Sequence, residues 1–131
     1  MLATILALTV MDYNYLAKTI QVEAAKGTMD EYCVAVSVLN RVRSPHYPNT
    51  VADVVYAPGQ YQGFEYRNPR VNQTIVNRLK SEEGKKNLLK AYGIIGDRTD
   101  FKGQRMLKYR VASEDPMCHN KGNFYHYHWQ T

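Results

Sequence analysis

The chain has 131 residues, a formal net charge of +5 and an isoelectric point near 9.2. Its length suits one domain with a sizeable core. With 44% hydrophobic and 22% charged residues, the composition is that of a globular protein and excludes a disordered or low-complexity chain. The positive charge favours an anionic partner. The basic residues are scattered rather than clustered, so we expect no nucleic-acid partner.

The amino-terminal segment, Leu2 to Met11, is apolar. It has about half the length needed to span a bilayer, so we expect no stable membrane span. No lysine or arginine precedes the apolar run, and no clear small-residue cleavage site follows it, so a secretory signal has little support. We expect residues 1–11 to pack into the core, with a trimmed or degenerate leader as the alternative.

Two helices are predicted next. Apolar spacing predicts the first from Asp12 to Lys26, with Gly27 as its stop. The T-x-x-E pattern of Thr28 and Glu31 is typical of a capping box. It predicts the start of a second helix, from Met29 to about Arg43, whose broad apolar stripe indicates a central, buried position. Two X-Pro pairs follow and end it.

The rest of the chain is predicted to hold shorter elements. We expect a short helix capped by Thr50, a loop, two further helices with Gly84 as a weak point, a glycine-containing stretch without a helical stripe, and a carboxy-terminal strand. In chain order these are Thr50–Tyr56, 57–68, Pro69–Lys80, Ser81–Tyr92, Gly93–Gly103 and Asn123–Trp129. The sequence therefore predicts one α+β domain over residues 1–131, predominantly helical with a small β element.

Glu23 is the strongest candidate for chemistry, because it follows an apolar helical stretch. The carboxyl end of a helix is the negative end of its dipole, which disfavours an ionised carboxylate. Apolar neighbours act in the same direction, so we expect a raised pKa for Glu23. A carboxyl group of that kind can protonate a glycosidic oxygen as a general acid. The alternative is an ordinary surface glutamate near a helix end.

A glycoside hydrolase with two carboxylates needs a second one across its cleft. The candidates are Asp53, Glu65, Glu114 and Asp115, and no spacing singles one of them out. A lytic transglycosylase needs only one carboxyl group. The missing partner therefore favours that route mildly.

The rival constellation lies near the carboxyl terminus, where Cys118-His119 precedes His126 and His128. Thiolate and imidazole ligands suit zinc, but the spacing matches no standard zinc pattern, so we predict no metal and no cofactor. Cys118 with a histidine as a nucleophilic dyad is a further alternative. We expect Cys33 to be a buried free thiol. A disulfide with Cys118 is the alternative, which the spacing of the two residues does not reveal.

Several segments together resemble the SleB-type cell wall hydrolases, a family first known from spore cortex lysis. The resemblance covers most of residues 16–129 and is specific in the order of its motifs. The matching segments are Leu16–Ala24, Val34–Val42 (VAVSVLNRV), Ser44–Thr50 (SPHYPNT), Val54–Tyr56, Pro58–Tyr61, Asp115–Pro116, and Gly122 with the aromatic tail.

The resemblance implies a lysozyme-like fold and peptidoglycan as the substrate, with action at the bacterial cell wall. It places Glu23 on the catalytic glutamate, acting first as acid and then as base. It places Gln60 and Tyr61 in the loop that lines the cleft, and Tyr125 and Tyr127 on the polar-aromatic positions that close the site. A shift of one residue would put the neighbouring histidines there instead.

The chain departs from the family pattern at three points. Val22 stands where a glycine usually precedes the catalytic glutamate, and Ala25-Lys26-Gly27 replaces the usual arginine and glycine. Met117–Lys121 stands where a small polar residue and glycines are usual. These departures affect the shape of the cleft more than the fold. They are compatible with a divergent, phage-encoded lysis or virion enzyme.

Three functional hypotheses follow. The first is cleavage of the glycan strand between N-acetylmuramic acid and N-acetylglucosamine, by lytic transglycosylation in preference to muramidase-type hydrolysis. The second is a wall amidase or peptidase that uses Cys118 or a metal held by the histidine-rich tail. The third is a wall-binding module without catalytic activity. The sequence specifies neither the export route nor the oligomeric state.

Overall fold

The structure, a computed structural model, describes residues 1–58, 60–61, 69–102, 110–113, 116–118 and 124–127. Statements below about what is present or absent concern those residues. The helices are α1 (Leu2–Leu6), α2 (Val10–Glu23), α3 (Asp30–Arg43), α4 (Val51–Tyr56), α5 (Gln73–Lys80) and α6 (Glu82–Ile95). The strands are β1 (Asp100–Lys102), β2 (Arg110–Ser113) and β3 (Phe124–Tyr127), and a short 3-10 turn covers Pro116–Cys118.

Helix α3 lies at the centre of the fold, as its broad apolar stripe predicts. Twelve of its 14 residues are buried. Helices α2, α4 and α6 and strand β1 all pack against it. A helix covered on every side has no solvent face, which is why valine and alanine occupy so many of its positions.

Helix α2 begins and ends earlier than predicted. The Thr9 hydroxyl accepts from the backbone N–H of Asp12 (3.2 Å) and the Asp12 carboxylate accepts from that of Thr9 (2.9 Å), which is a capping box. The helix therefore starts at Val10. It ends at Glu23 because Ala24 turns into extended backbone, so the predicted end at Lys26 is wrong.

The predicted capping box of Thr28 and Glu31 is also wrong. Met29 occupies the N-cap position of α3, without a side-chain cap. The Thr28 hydroxyl donates back to the Ala25 carbonyl (2.8 Å), and the Glu31 carboxylate accepts from the Gly27 N–H (3.2 Å). The two side chains therefore fix the turn between α2 and α3, where Gly27 adopts a φ of 76° that favours glycine.

The later helices are predicted correctly in kind but not in extent. The cap of α4 is confirmed, since the Thr50 hydroxyl accepts from the Asp53 N–H (3.1 Å). Helix α5 starts at Gln73 rather than Pro69, because the Asn72 side chain caps it. Helix α6 runs past Gly93 to Ile95, since buried residues continue along one face.

Gly84 is a close-packing position rather than a weak point. A Cβ atom there would lie 2.0 Å from the Arg78 carbonyl oxygen and 2.5 Å from that of Leu79. Only glycine lets the start of α6 approach the end of α5 so closely.

The sheet is antiparallel, with β3 between β1 and β2. Tyr125 of β3 lies opposite Phe101 of β1. The predicted carboxy-terminal strand is confirmed, and so is the α+β class with helices predominating. The described elements share one hydrophobic core.

The amino-terminal segment packs into the core less than predicted. Ile5 is buried, but Leu2, Leu6, Val10 and Met11 are each more than half exposed. Within the described ranges, the structure holds no helix with the length and apolar character needed to cross a membrane.

A disulfide joins Cys33 of α3 to Cys118, whose Cα atoms are 5.9 Å apart. The prediction of a free thiol at Cys33 is therefore wrong. Spacing could not reveal the pair, because 85 positions separate the two residues and only the fold brings them together. The bond attaches the 3-10 turn to the central helix.

Reduction of this disulfide is expected to lower the stability of the protein by about 2–4 kcal/mol, because a cross-link over a long loop restricts the unfolded chain. The measurement is the free energy of denaturant-induced unfolding with and without reductant, and the control is Cys33→Ala/Cys118→Ala, which reductant should leave unchanged. Two alkylatable thiols in the denatured, unreduced protein would contradict the disulfide.

Candidate functional site

Glu23 is the last residue of α2 and is half-buried. Burial raises the pKa of the Tyr61 and Tyr125 hydroxyls, and the charge of an ionised Glu23 carboxylate adds a smaller increase to each. Both tyrosine side chains are completely buried. The structure thus brings three of the five predicted site residues together and leaves only Glu23 partly open to solvent.

The Tyr125 hydroxyl donates a hydrogen bond to the carboxylate of Asp30, the buried first residue of α3. Burial is the main reason that the pKa of Tyr125 lies well above its usual value, and the charge and hydrogen bond of Asp30 raise it further. Tyr125 is therefore a neutral hydrogen-bond donor near neutral pH.

Tyr61 is held in the same state. Burial raises its pKa to about 12, although the positive charge of Arg41 and the Ser37 hydroxyl act in the opposite direction. The ring centroid of Phe101 lies 6.2 Å from that of Tyr61 and 5.6 Å from that of Tyr125. The three rings form one aromatic cluster.

Arg41 positions the segment that carries Gln60 and Tyr61. Its guanidinium donates to the Thr99 carbonyl (2.8 Å), to the Gln60 side-chain oxygen (3.0 Å) and to the Asp100 carboxylate (3.3 Å). It also lies 5.0 Å from the centroid of the Tyr61 ring. Gln60 is exposed, and because Arg41 binds its oxygen, its amide N–H groups are the donors it offers to a ligand.

Asn40 fixes the other side of this arrangement. Its side-chain nitrogen donates to the carbonyls of Gly96 and Arg98, each at 2.7 Å, and so attaches the chain entering β1 to α3. The sequence shows Asn40 and Arg41 only as part of the family resemblance. A pair of polar residues near the end of an otherwise apolar helix is the signal that could have identified them as buried contacts.

Tyr127 packs against Arg98, in the stretch of chain that precedes β1. Its ring is covered by the Arg98 guanidinium, 4.6 Å from the ring centroid, and its hydroxyl lies beside Gly96. Asn40 binds that same stretch from α3, next to Arg41, which binds Gln60.

Glu31 fixes the turn that follows Glu23. The Arg78 guanidinium of α5 binds its carboxylate at 3.0 and 3.2 Å, and the Gly27 N–H binds it from the turn. Burial raises the pKa of Glu31, while Arg78 is the largest influence that lowers it. No local sequence pattern indicates this role of Glu31, because Arg78 is 47 positions away.

The rival chemistries lose their main support. Cys118 is in a disulfide, so it supplies neither a nucleophilic thiolate nor a metal ligand. His126 is fully buried on the central strand, whereas His119 and His128 lie outside the described residues. Among the residues that are described, no three histidine, cysteine or acidic side chains are grouped as metal ligands would be.

The second carboxylate remains unassigned. Asp53 is exposed in the first turn of α4. The other three candidates, Glu65, Glu114 and Asp115, lie outside the residues that the structure describes.

A family model described as Cell Wall Hydrolase matches residues 25–126. The chain belongs to this family. Membership makes it a peptidoglycan-degrading enzyme that acts at the cell wall. The match includes Gln60, Tyr61 and Tyr125 but begins two residues after Glu23. Searches of curated proteins and of solved structures found no significant match.

Substitution of Arg78 by methionine is expected to destabilise this hydrolase more at pH 8 than at pH 5. Without Arg78 the pKa of Glu31 rises further, so stability is lost as pH rises through that pKa and is regained below it. We expect a loss of about 1–2 kcal/mol at pH 8, since the Arg78 side chain is 40% exposed and solvent screens the pair. Urea unfolding at both pH values measures it.

The matched control is Arg78→Met in a Glu31→Gln background, where no carboxyl group titrates. The pH dependence of the Arg78 effect should vanish there. An equal loss at pH 5 and pH 8 with Glu31 present would contradict the assignment.

Proposed function

We propose that this cell wall hydrolase cleaves the glycan strand between N-acetylmuramic acid and N-acetylglucosamine, and that it does so as a lytic transglycosylase of the SleB type. The observation that carries the proposal is the position of Glu23. This carboxyl group ends α2, where the helix dipole favours its protonated form, and it is near enough to buried Tyr61 and Tyr125 for its charge, when ionised, to raise the pKa of both hydroxyls slightly.

In the first step Glu23 acts as general acid. Its proton passes to the glycosidic oxygen while the bond from that oxygen to C1 of the muramic residue breaks. The N-acetylglucosamine residue leaves with a new hydroxyl group, and Glu23 is left as a carboxylate. The neutral hydroxyls of Tyr61 and Tyr125 place no negative charge beside the carboxylate at this point.

In the second step Glu23 acts as general base. It removes the proton from the 6-hydroxyl of the same muramic residue, and that oxygen bonds to C1 and closes an anhydro ring. The proton count balances, Glu23 returns to its acid form, and no water is consumed. A single carboxyl group therefore performs both transfers.

The other predicted site residues fit different roles in this scheme. Exposed Gln60 is the proposed substrate contact. Complete burial of Tyr61 and Tyr125 supports a positioning role behind Glu23 rather than contact with the sugar. A binding role for Tyr127 stays a prediction, because its ring lies beside Arg98.

Muramidase-type hydrolysis is the alternative on the same site. It would use Glu23 as the acid and would require a second carboxylate to activate water. Among the described residues, Asp53 is the predicted candidate for that task, and it lies exposed on α4.

Glu23→Gln is expected to lower the rate of peptidoglycan solubilisation by about 10²–10⁴-fold, because glutamine keeps the shape of the side chain but has no acidic proton. The measurement is release of soluble fragments from purified, dye-labelled peptidoglycan, with thermal unfolding as the test of an intact fold.

Glu82→Gln is the matched control, since it makes the same change at a side chain that is 89% exposed on α6. Its rate should equal that of the wild type. A folded Glu23→Gln variant that solubilises peptidoglycan at the wild-type rate would remove Glu23 from the chemistry.

A further inference from the structure

Two tyrosines outside the site described above form an exposed pair between α2 and α4. The ring centroids of Tyr15 and Tyr56 are 5.7 Å apart, and the ring planes meet at 80°. Tyr56 is 54% exposed, while Tyr15 is half-buried. An edge-to-face contact fixes the orientation of both rings and leaves a broad aromatic surface in solvent.

The Tyr15–Tyr56 pair lies closer to the amino end of α2 than Glu23 does. Tyr15 precedes Glu23 by eight residues, which is about 12 Å along the helix axis and a rotation of about 80°. Tyr56 ends α4 and contacts Tyr15, whereas Tyr61, five positions later, lies under the influence of Glu23. Tyr56 therefore lies beside α2 about two turns before Glu23, whereas Tyr61 lies nearer to Glu23 itself.

The geometry points to the Tyr15–Tyr56 pair as a binding platform for a sugar residue of the glycan strand, remote from the bond that is cleaved. The inference rests on the proposed function, because a glycan strand bound at this pair must also pass Glu23. A flat aromatic face with a polar tip suits a sugar ring, which has one apolar face of C–H groups and hydroxyls at its rim.

Charge at the platform agrees with this ligand. Lys18 follows Tyr15 by three residues on α2, so the two side chains are neighbours on the helix surface. The muramic residues carry acidic groups, in their lactyl-peptide substituents, that a lysine attracts. A polymer with alternating sugar faces and carboxylates is therefore a better partner than a purely apolar surface.

The test measures binding separately from catalysis, in a Glu23→Gln background. The apparent Kd for purified insoluble peptidoglycan is obtained by co-sedimentation for the parent, Tyr56→Ala, Tyr56→Phe and Tyr15→Ala. We expect about tenfold weaker binding for each alanine variant and parent-like binding for Tyr56→Phe, which retains the ring. Tyr92→Ala, a change at a half-buried tyrosine on α6, should bind like the parent.

The same substitutions in the active enzyme give a second readout. Tyr56→Ala should raise KM for polymeric peptidoglycan about tenfold and leave kcat unchanged, because the platform is remote from the scissile bond. Short glycan fragments that cannot reach from Glu23 to the platform should be cleaved equally by both enzymes.

Parent-like binding by folded Tyr56→Ala and Tyr15→Ala would overturn the platform, and so would equal losses in Tyr56→Phe and Tyr56→Ala. Either result would leave the role of Glu23 intact. Conversely, full activity of Glu23→Gln would overturn the proposed chemistry, while a Tyr56→Ala binding defect would still establish the platform as a wall-binding surface.

Discussion

The rest of the structure depends on one constraint: the buried helix α3 carries charged groups at both of its ends. Asp30 and Arg41 are almost entirely inaccessible to water, and a buried charge is tolerated only with hydrogen-bond partners. The Tyr125 hydroxyl supplies a partner for Asp30, and the Thr99 carbonyl, Gln60 and Asp100 supply those of Arg41. Satisfying these groups attaches the sheet and the Gln60–Tyr61 segment to one rigid helix.

The same contacts organise the surroundings of Glu23. Tyr61 comes from the middle of the sequence and Tyr125 from near its carboxyl end, and each is fixed by a residue of α3. Burial keeps both hydroxyls protonated, so neither tyrosine adds a negative charge near the half-buried carboxyl group of Glu23. Glu31 completes the arrangement by holding the turn after α2 in place. The most buried helix therefore positions the residues around Glu23, the side chain proposed to be catalytic.

Local patterns predicted much of the fold. The Thr50 cap, the buried character of α3 and the carboxy-terminal strand depend on residues close in sequence, and all three are confirmed. Placement of Glu23 at a helix end followed from the same kind of signal. Errors arose where a local pattern competed with a distant partner. Thr28 and Glu31 look like a capping box, but the carboxylate instead binds Gly27 and, from α5, Arg78.

The sequence supplied candidate residues for the site but not their surroundings in the fold. The family resemblance identified Gln60, Tyr61 and Tyr125, yet nothing in the sequence states whether a tyrosine is exposed or buried. The Tyr125–Asp30 contact spans 95 positions and the disulfide spans 85, and contacts of that separation exist only after folding. The disulfide removes Cys118 from the candidate nucleophiles and metal ligands.

The most direct test of the central claim is mass spectrometry of the fragments that the wild-type enzyme releases from peptidoglycan in oxygen-18-labelled water. The account predicts muramic residues that end in an anhydro ring and carry no labelled oxygen at C1, since the 6-hydroxyl of the sugar is the nucleophile. Reducing muramic ends that carry the label would contradict transglycosylation, because water would then have attacked C1. Free stem peptides with intact glycan strands would contradict glycan cleavage altogether.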